Sequence, residues 1–444
     1  MGVPRAGSAH QRGRPRIGRV STPRPSRGSR SLWWALAVLA ALAVGLLGAV
    51  VAEPPSGGPV AAKPAASAAR SASVGAAGLD DRALAMMFEA LSRAVAHSER
   101  ADFIAAAGST PWARQTWRRI RSLGVDRIDL RYVPDDAPRP STADVSVAVA
   151  WSPGPNSVYD GTITVPRHIT FTVAGTDTGT AAVIGAGLTG DFWLPAWLMG
   201  DMDVTSLGDA TVVSTGRRGI RPGFDVLTRR ALAAVRTALA GSDVDTDRRV
   251  VVVAPATEAD AVRLVGREVS GAAAVTTTVD GSPRTYAPVH VVLNPTIFDR
   301  LTRSGAQVVL THEVTHAVTG AAASTMPLWV AEGFADWIAL RDASLSLDVT
   351  TGRLSRFVRQ EGLPAALPID AEFAGHRSAG HAYEASWTAF RLLSRRAGDR
   401  AVLGFYADVR AGQPVAAALE LNTGLDVAEV TRAWRMDVRR FTRD

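Results

Sequence analysis

A chain of 444 residues that is 47% hydrophobic and 20% charged has enough apolar side chain for two or three packed domains, which excludes a compositionally disordered protein. Cysteine is absent, which excludes disulfides and any thiolate metal site. The formal net charge is +7, but the first 31 residues hold eight Arg and no acid, so the rest of the chain carries a net −1 and no nucleic-acid partner is expected.

Residues 1–31, rich in Arg, Pro, Gly and Ser, read as a disordered cytoplasmic tail. Leu32–Ala52 follows as 21 residues without a charge, long enough at about 1.5 Å per residue to cross a hydrocarbon core of about 30 Å. Trp33 and Trp34 sit where an interfacial aromatic pair belongs. Arg on one flank and Glu53 on the other predict a single-pass cell-membrane protein with its C-terminal body extracytoplasmic. A cleaved signal peptide ending at Val50-Val51-Ala52 is the competing reading, against which the length of the apolar run speaks. Residues 53–79 form a Pro/Ala/Ser/Gly linker.

Residues 80–215 read as a small α+β domain. Asp80-Asp81 open one helix, a shorter one follows, and "PWARQTWRRIRSLGV" makes another. After Gly124 the pattern turns to alternation in "RIDLRYV", "ADVSVAVAW", "YDGTITVPRHITFTVAG" and "GTAAVIGAG". Helices first and an antiparallel meander afterwards resemble the cystatin-like or NTF2-like order. A boundary is expected near 215. Residues 216–444 then alternate: a helix over 224–240, a buried strand in "RRVVVVAPA", a helix near 258–265, and strands in "AAAVTTTV" and "APVHVVLNP". Helices fill the remainder. The fold class expected for the whole is α+β, with a mixed sheet and a helical C-terminal lobe in the second domain.

The chemistry concentrates in "SGAQVVLTHEVTHAVTG". His312 and His316 lie one helical turn apart on one face, with Glu313 bordering it. Two imidazoles at that spacing reach one tetrahedral zinc, and the adjacent carboxylate reaches a water. A catalytic zinc needs a third protein ligand and an open position. "TMPLWVAEGFADWIAL" supplies Glu332 as the third ligand of a single Zn2+ ion. Asp336, one turn further on, accepts a hydrogen bond from the other ring nitrogen of His312.

His312-Glu313-x-x-His316 followed by Glu332-x-x-x-Asp336 resembles the gluzincin zinc metallopeptidases, the group of thermolysin and the aminopeptidase N relatives, most strongly over 248–340. The resemblance implies a metal held by His312, His316 and Glu332, Glu313 as general base, and "PVHVVLN" as the sheet edge along which a substrate peptide lies. The metzincin third-ligand signature is missing. Oxyanion candidates cluster in "GHRSAGHAYEASW": Tyr383 first, since the resembling families often use a Tyr from a helix after the third ligand, with His381 as the alternative and His376 beside them. The segment "TYAPVHVVLNP" has no acid to bind a free amine, so endopeptidase action on a peptide or protein substrate is expected. The other class in play is a non-catalytic cell-surface binding protein with a structural or vestigial metal site. Glu313 discriminates between the two, because a structural site has no need of that carboxylate.

Overall fold

The computed structural model describes Gly2 and residues 79–136, 140–176, 180–187, 193–216, 222–244, 246–373 and 379–442. The chain is α+β, built on two sheets. In the first region, α1 (Asp81–Ala96) starts where the Asp80 side chain accepts from Ala83 N at 3.1 Å. It is followed by α2 (Arg100–Ala106) and α3 (Pro111–Leu123). Four strands then run as an antiparallel meander in the order β1-β2-β3-β4: β1 (Val125–Val133), β2 (Thr142–Pro153), β3 (Arg167–Gly175) and β4 (Ala181–Ala186). Alternation sets the faces. Val145, Val147 and Val149 of β2 are buried, and in register Val145 opposes Phe171 and Val147 opposes Ile169 of β3. The helices close that face, with Phe88 of α1 meeting Phe171 edge-on at 5.2 Å between centroids.

The second sheet has the order β5-β6-β7-β9-β8, made of β5 (Met202–Ser206), β6 (Ala210–Thr215), β7 (Val250–Ala254), β8 (Ala274–Thr278) and β9 (Val289–Leu293). β6, β7 and β9 run parallel, and the outer strands β5 and β8 run antiparallel to their neighbours. This moves the domain boundary expected near 215. β6 is buried along its whole length and pairs with β7 through the crossover helix α4 (Phe224–Leu239), so β5 and β6 belong to the second sheet. A strand buried on both faces reads as an apolar run whose partner hydropathy does not reveal.

The two regions meet at the turn between β8 and β9. Val165 N donates to Asp280 Oδ2 at 2.7 Å, Arg167 Nε to Asp280 O at 2.8 Å, and Thr162 N to Tyr286 O at 2.9 Å. Gly161, at φ +138°, lets the backbones touch, since a Cβ there would lie 2.7 Å from Pro288 N. Burial opposes the charge on Asp280, but hydrogen bonds from Ser282 and from the Val165 backbone, with Arg284, hold its carboxyl below the usual range.

After α5 (Glu258–Val265) and α6 (Pro295–Phe298), the helices that matter for chemistry are α7 (Arg303–Thr319) and α8 (Leu328–Ala339). Beyond them lie α9 (Leu347–Thr350), α10 (Gly352–Glu361), α11 (Gly380–Ala397), α12 (Asp399–Arg410), α13 (Val415–Thr423) and α14 (Val427–Phe441). Among the described residues no helix is long and apolar enough to cross a membrane. The longest, α11 with 18 residues, carries Glu384, Arg391, Arg395 and Arg396. That finding corrects the expectation of a single-pass cell-membrane protein with an extracytoplasmic body. Leu32–Ala52, where the sequence predicts the span, lies outside the described residues, as do the tail at 3–31 and nearly all of the linker.

Candidate metal centre

α7 is fixed at both ends by its sequence: the Thr302 hydroxyl accepts from Gly305 N at 3.1 Å, and Gly320 closes the helix at φ +68°. Between them every residue from Val308 to Thr319 is buried. A helix buried on all sides must satisfy its polar side chains internally. Thr311, Thr315 and Thr319 do so by donating to the carbonyls of Gln307, Thr311 and Thr315 at 2.7–2.8 Å.

α8 is equally buried, from Trp329 to Ala339. Gly333 lets it approach α11 closely, because a Cβ there would lie 2.7 Å from Phe390 Cδ2 and 2.8 Å from Ser386 O. The connection at 320–327, with a 3-10 turn at Ala321–Ala323, is short enough to bring α8 back against α7.

Where the two helices face each other, His312, His316 and Glu332 converge, all at 0% exposure. The Nε2 atoms of the two histidines are 3.0 Å apart, and Glu332 Oε2 lies 3.1 Å from His312 Nε2 and 3.4 Å from His316 Nε2. Metal–nitrogen and metal–oxygen bonds of about 2.0–2.1 Å in a tetrahedron separate ligand atoms by roughly 3.3 Å, so these spacings suit one ion. Asp336 Oδ1 lies 2.8 Å from His312 Nδ1. That partner assigns the proton to Nδ1 and leaves the Nε2 lone pair facing the trio. With Nε2 bare, Glu332 Oε2 receives no hydrogen from it, and both Glu332 oxygens are buried without a hydrogen-bond partner among the described residues. Acceptors crowded together in a dry site call for a cation between them. This buried group could bind a metal ion.

The electrostatics show how strongly the two carboxylates draw positive charge, a proton or a cation, into the site. Burial opposes ionisation of Glu332, yet the positive charge drawn onto His316 and His312 beside it holds the carboxyl down to about 2. Burial likewise opposes a proton on His312, but Asp336 and Glu332 raise its pKa well above the ordinary value. Asp336 goes the other way, pushed up by burial and by Glu332 against the pull of His312. Two carboxylates compete for positive charge here, and Glu332 keeps its negative charge.

Glu313 is 1% exposed. Its Oε2 lies 2.6 Å from the Thr276 hydroxyl of β8, which also lies 2.9 Å from the Glu313 carbonyl oxygen, while Oε1 is buried without a partner among the described residues. One carboxylate oxygen is therefore tethered and the other presented. Strand order corrects a further expectation: "PVHVVLN" is β9 and lies inside the sheet, between β7 and β8. The edge strand on this side of the sheet is β8, and it is β8 that touches Glu313.

Tyr383, in the first turn of α11, is buried and packs edge-on against Phe373 at 5.0 Å. Burial and the charges of Glu332, Asp336 and Glu313 push its hydroxyl well above the ordinary range, with Arg267 pulling the other way, so it stays protonated. The alternative, His381, lies elsewhere: its ring stacks on Phe357 at 4.0 Å and its Nε2 is 3.7 Å from Glu372 Oε1. His376 is outside the described residues.

Three residues beyond the sequence motifs matter. Thr276 orients Glu313; the only hint was a run of Thr in an apolar strand. Arg267, directly after the helix-ending Gly266, carries a guanidinium whose pKa burial lowers while Tyr383 and Glu313 raise it, so its charge acts on both. Glu384 accepts from Arg353 N and Leu354 N at 2.8 and 2.7 Å, joining the start of α10 to α11. Burial pushes it up to about 8, against those hydrogen bonds and Arg353. No family model matches the chain, and no curated protein matches it in sequence.

Proposed function

We propose that the chain is a zinc-dependent peptidase of gluzincin type that hydrolyses internal peptide bonds, with His312, His316 and Glu332 holding the ion and Glu313 acting as general base. The observation that carries the reading is the tethered carboxylate. A structural metal site needs three or four ligands, but not a further buried acid whose Oε2 is held by Thr276 while its Oε1 has no partner among the described residues. When bound, zinc supplies Lewis acidity toward a carbonyl oxygen and makes water more acidic. Glu313 Oε1 takes the proton from water as the water oxygen bonds to the carbonyl carbon, then returns it to the amine nitrogen as the C–N bond breaks. The protonated Tyr383 hydroxyl and the Arg267 guanidinium supply hydrogen bonds and positive charge toward the oxyanion that develops. Asp336 keeps His312 in the tautomer that leaves Nε2 free.

The test compares the zinc-loaded full chain with Glu313→Gln. Zinc content and cleavage of a peptide library are measured together. The variant is expected to keep near-stoichiometric zinc and lose about 10²–10⁴-fold in cleavage rate. Equal cleavage by the two proteins overturns the assigned base. A wild type that binds zinc and cleaves nothing favours a binding protein.

A further inference from the structure

The C-terminal helix α14 buries one face, Val430, Trp434 and Val438, with Trp434 Nε1 donating to Thr388 Oγ1 of α11 at 2.9 Å. The neighbouring stripe, Arg432, Arg435, Met436 and Arg439, together with Leu363, lines a groove of about 430 Å³. Arg432 and Arg439 are seven residues apart, roughly 10 Å along the axis at 1.5 Å per residue, with Arg435 between them. Among the described residues no carboxylate lines this groove.

Other arginines of the same lobe are paired, Arg395 with Asp437 at 2.9 Å and Arg341 with Asp399 at 2.5 Å. Among the described residues, Arg432, Arg435 and Arg439 have neither an ion pair nor a hydrogen bond, and Arg435 Nε is buried without an acceptor. The nearby acids at the helix start are occupied with each other's backbone, since Asp426 and Glu429 form a reciprocal capping box. Like charges three and four residues apart repel along a helix. A buried guanidinium donor left unbonded adds to that cost.

We propose that this groove is a binding site for a small oligophosphate, whose row of phosphate groups lies along Arg432, Arg435 and Arg439. Guanidinium groups suit phosphate because they pair with it through two parallel N–H···O bonds. The groove volume is that of a small-molecule site and exceeds what a single phosphate needs. Leu363 and Met436, the latter 58% exposed, give it an apolar wall.

The test is equilibrium binding of inorganic tripolyphosphate to the full chain at low ionic strength. Wild type is compared with Arg435→Gln/Arg439→Gln and with a control, Arg341→Gln/Arg400→Gln, which removes the same charge outside the groove. The groove variant is expected to lose about tenfold or more in affinity, because it removes two charge-assisted donors to the phosphate chain, and the control to match wild type. All three chains keep His312, His316 and Glu332, so phosphate chelating bound metal is common to them. Adenosine triphosphate run alongside separates the two sources of this chemistry: equal affinity assigns the groove to the phosphate chain alone, and tighter nucleotide binding adds Leu363 and Met436 as contacts to the base. Absence of binding to wild type, or equal loss in both variants, overturns the proposal.

Discussion

In the first region, Phe88, Phe103, Trp117 and Phe171 meet ring against ring, and the buried charge there, Arg119, donates to the Trp197 and Met199 carbonyls. In the second, α7 and α8 bury His312, Glu313, His316, Glu332 and Asp336 within two adjacent helices. Both interiors exclude water, yet one hides hydrocarbon and the other hides ionisable groups. Burying a charge costs several kcal/mol unless it is paired. A hydrophobic core explains itself through the area it removes from water; a core of carboxylates and imidazoles does not. The second core has to be read as a site, and the difference can be tested by how each responds to a divalent ion.

The largest expected effect comes from truncating one residue in each core. Phe171→Ala should cost about 3–5 kcal/mol through lost burial and the cavity left behind. Glu332→Ala should cost a similar ~3–5 kcal/mol, by leaving buried imidazoles without their counter-charge and by abolishing stabilisation through ion binding. Unfolding in denaturant with zinc and with a chelator separates the two. The Phe171→Ala cost is expected to be the same in both, and the gap between wild type and Glu332→Ala to shrink in the chelator. A gap that ignores the chelator would make the trio a mere ion-pair network.

The junction between the regions supplies the next test. His290 of β9 packs near Tyr159, with centroids 6.3 Å apart, and neither ring nitrogen has a hydrogen-bond partner among the described residues. Burial pushes its pKa down to about 4, with only the Leu264 backbone pulling upward. The unfolded chain therefore binds a proton that the folded chain refuses between about pH 6.5 and pH 4. Stability is full above pH 6.5 and falls as the pH drops through that window, by on the order of 3 kcal/mol. His290→Leu is expected to flatten this part of the profile, measured in chelator so that metal loss does not contribute. A profile identical to wild type would show that the junction tolerates the charge.

Asp336→Asn probes the site with less force. An amide oxygen still accepts from His312 Nδ1 but no longer supplies the charge that raises its basicity. Zinc affinity should fall about 10–100-fold, as for other hydrogen-bond partners of metal ligands. Competition with a chromophoric chelator measures it, and unchanged affinity would remove Asp336 from the site.

Much of this was legible along the chain and part was not, for a reason seen in particular residues. His312, His316, Glu332 and Asp336 lie at helical spacing on two consecutive helices, so local periodicity suffices to place each pair on one face. The alternation in β2 and β3 likewise announces a half-buried sheet. Thr276 and Arg267 reach the site across 37 and 46 residues from Glu313, through the pairing of β8 with β9 and the packing of α7 beneath them. Nothing in their neighbours' hydropathy records that. The same limit left β5 and β6, for which the sequence announced no sheet, on the far side of the expected boundary, and put β9 at the wrong edge, because strand order follows from long-range pairing and crossover connections. Arg432, Arg435 and Arg439 are evident as a stripe in the sequence, but their lack of partners appears only once the lobe is packed.

The smallest expected effect is at Thr276, and it separates a positioning residue from a packing one. Thr276→Val keeps the β-branched shape and removes the hydroxyl held 2.6 Å from Glu313 Oε2. A hydrogen bond to a charged group contributes about 1.5–3 kcal/mol at most, and less where another donor takes its place. Global stability should fall by about 1.5 kcal/mol, the low end of that range, since the strand and its burial remain. Cleavage should respond differently. Freed from its donor, the Glu313 carboxylate can turn away from the position in which Oε1 is presented, so kcat falls while KM stays near the wild-type value. A purely structural role predicts loss of folded protein and of kcat in proportion, and Thr276→Ser, which restores a hydroxyl, should return kcat toward its original value.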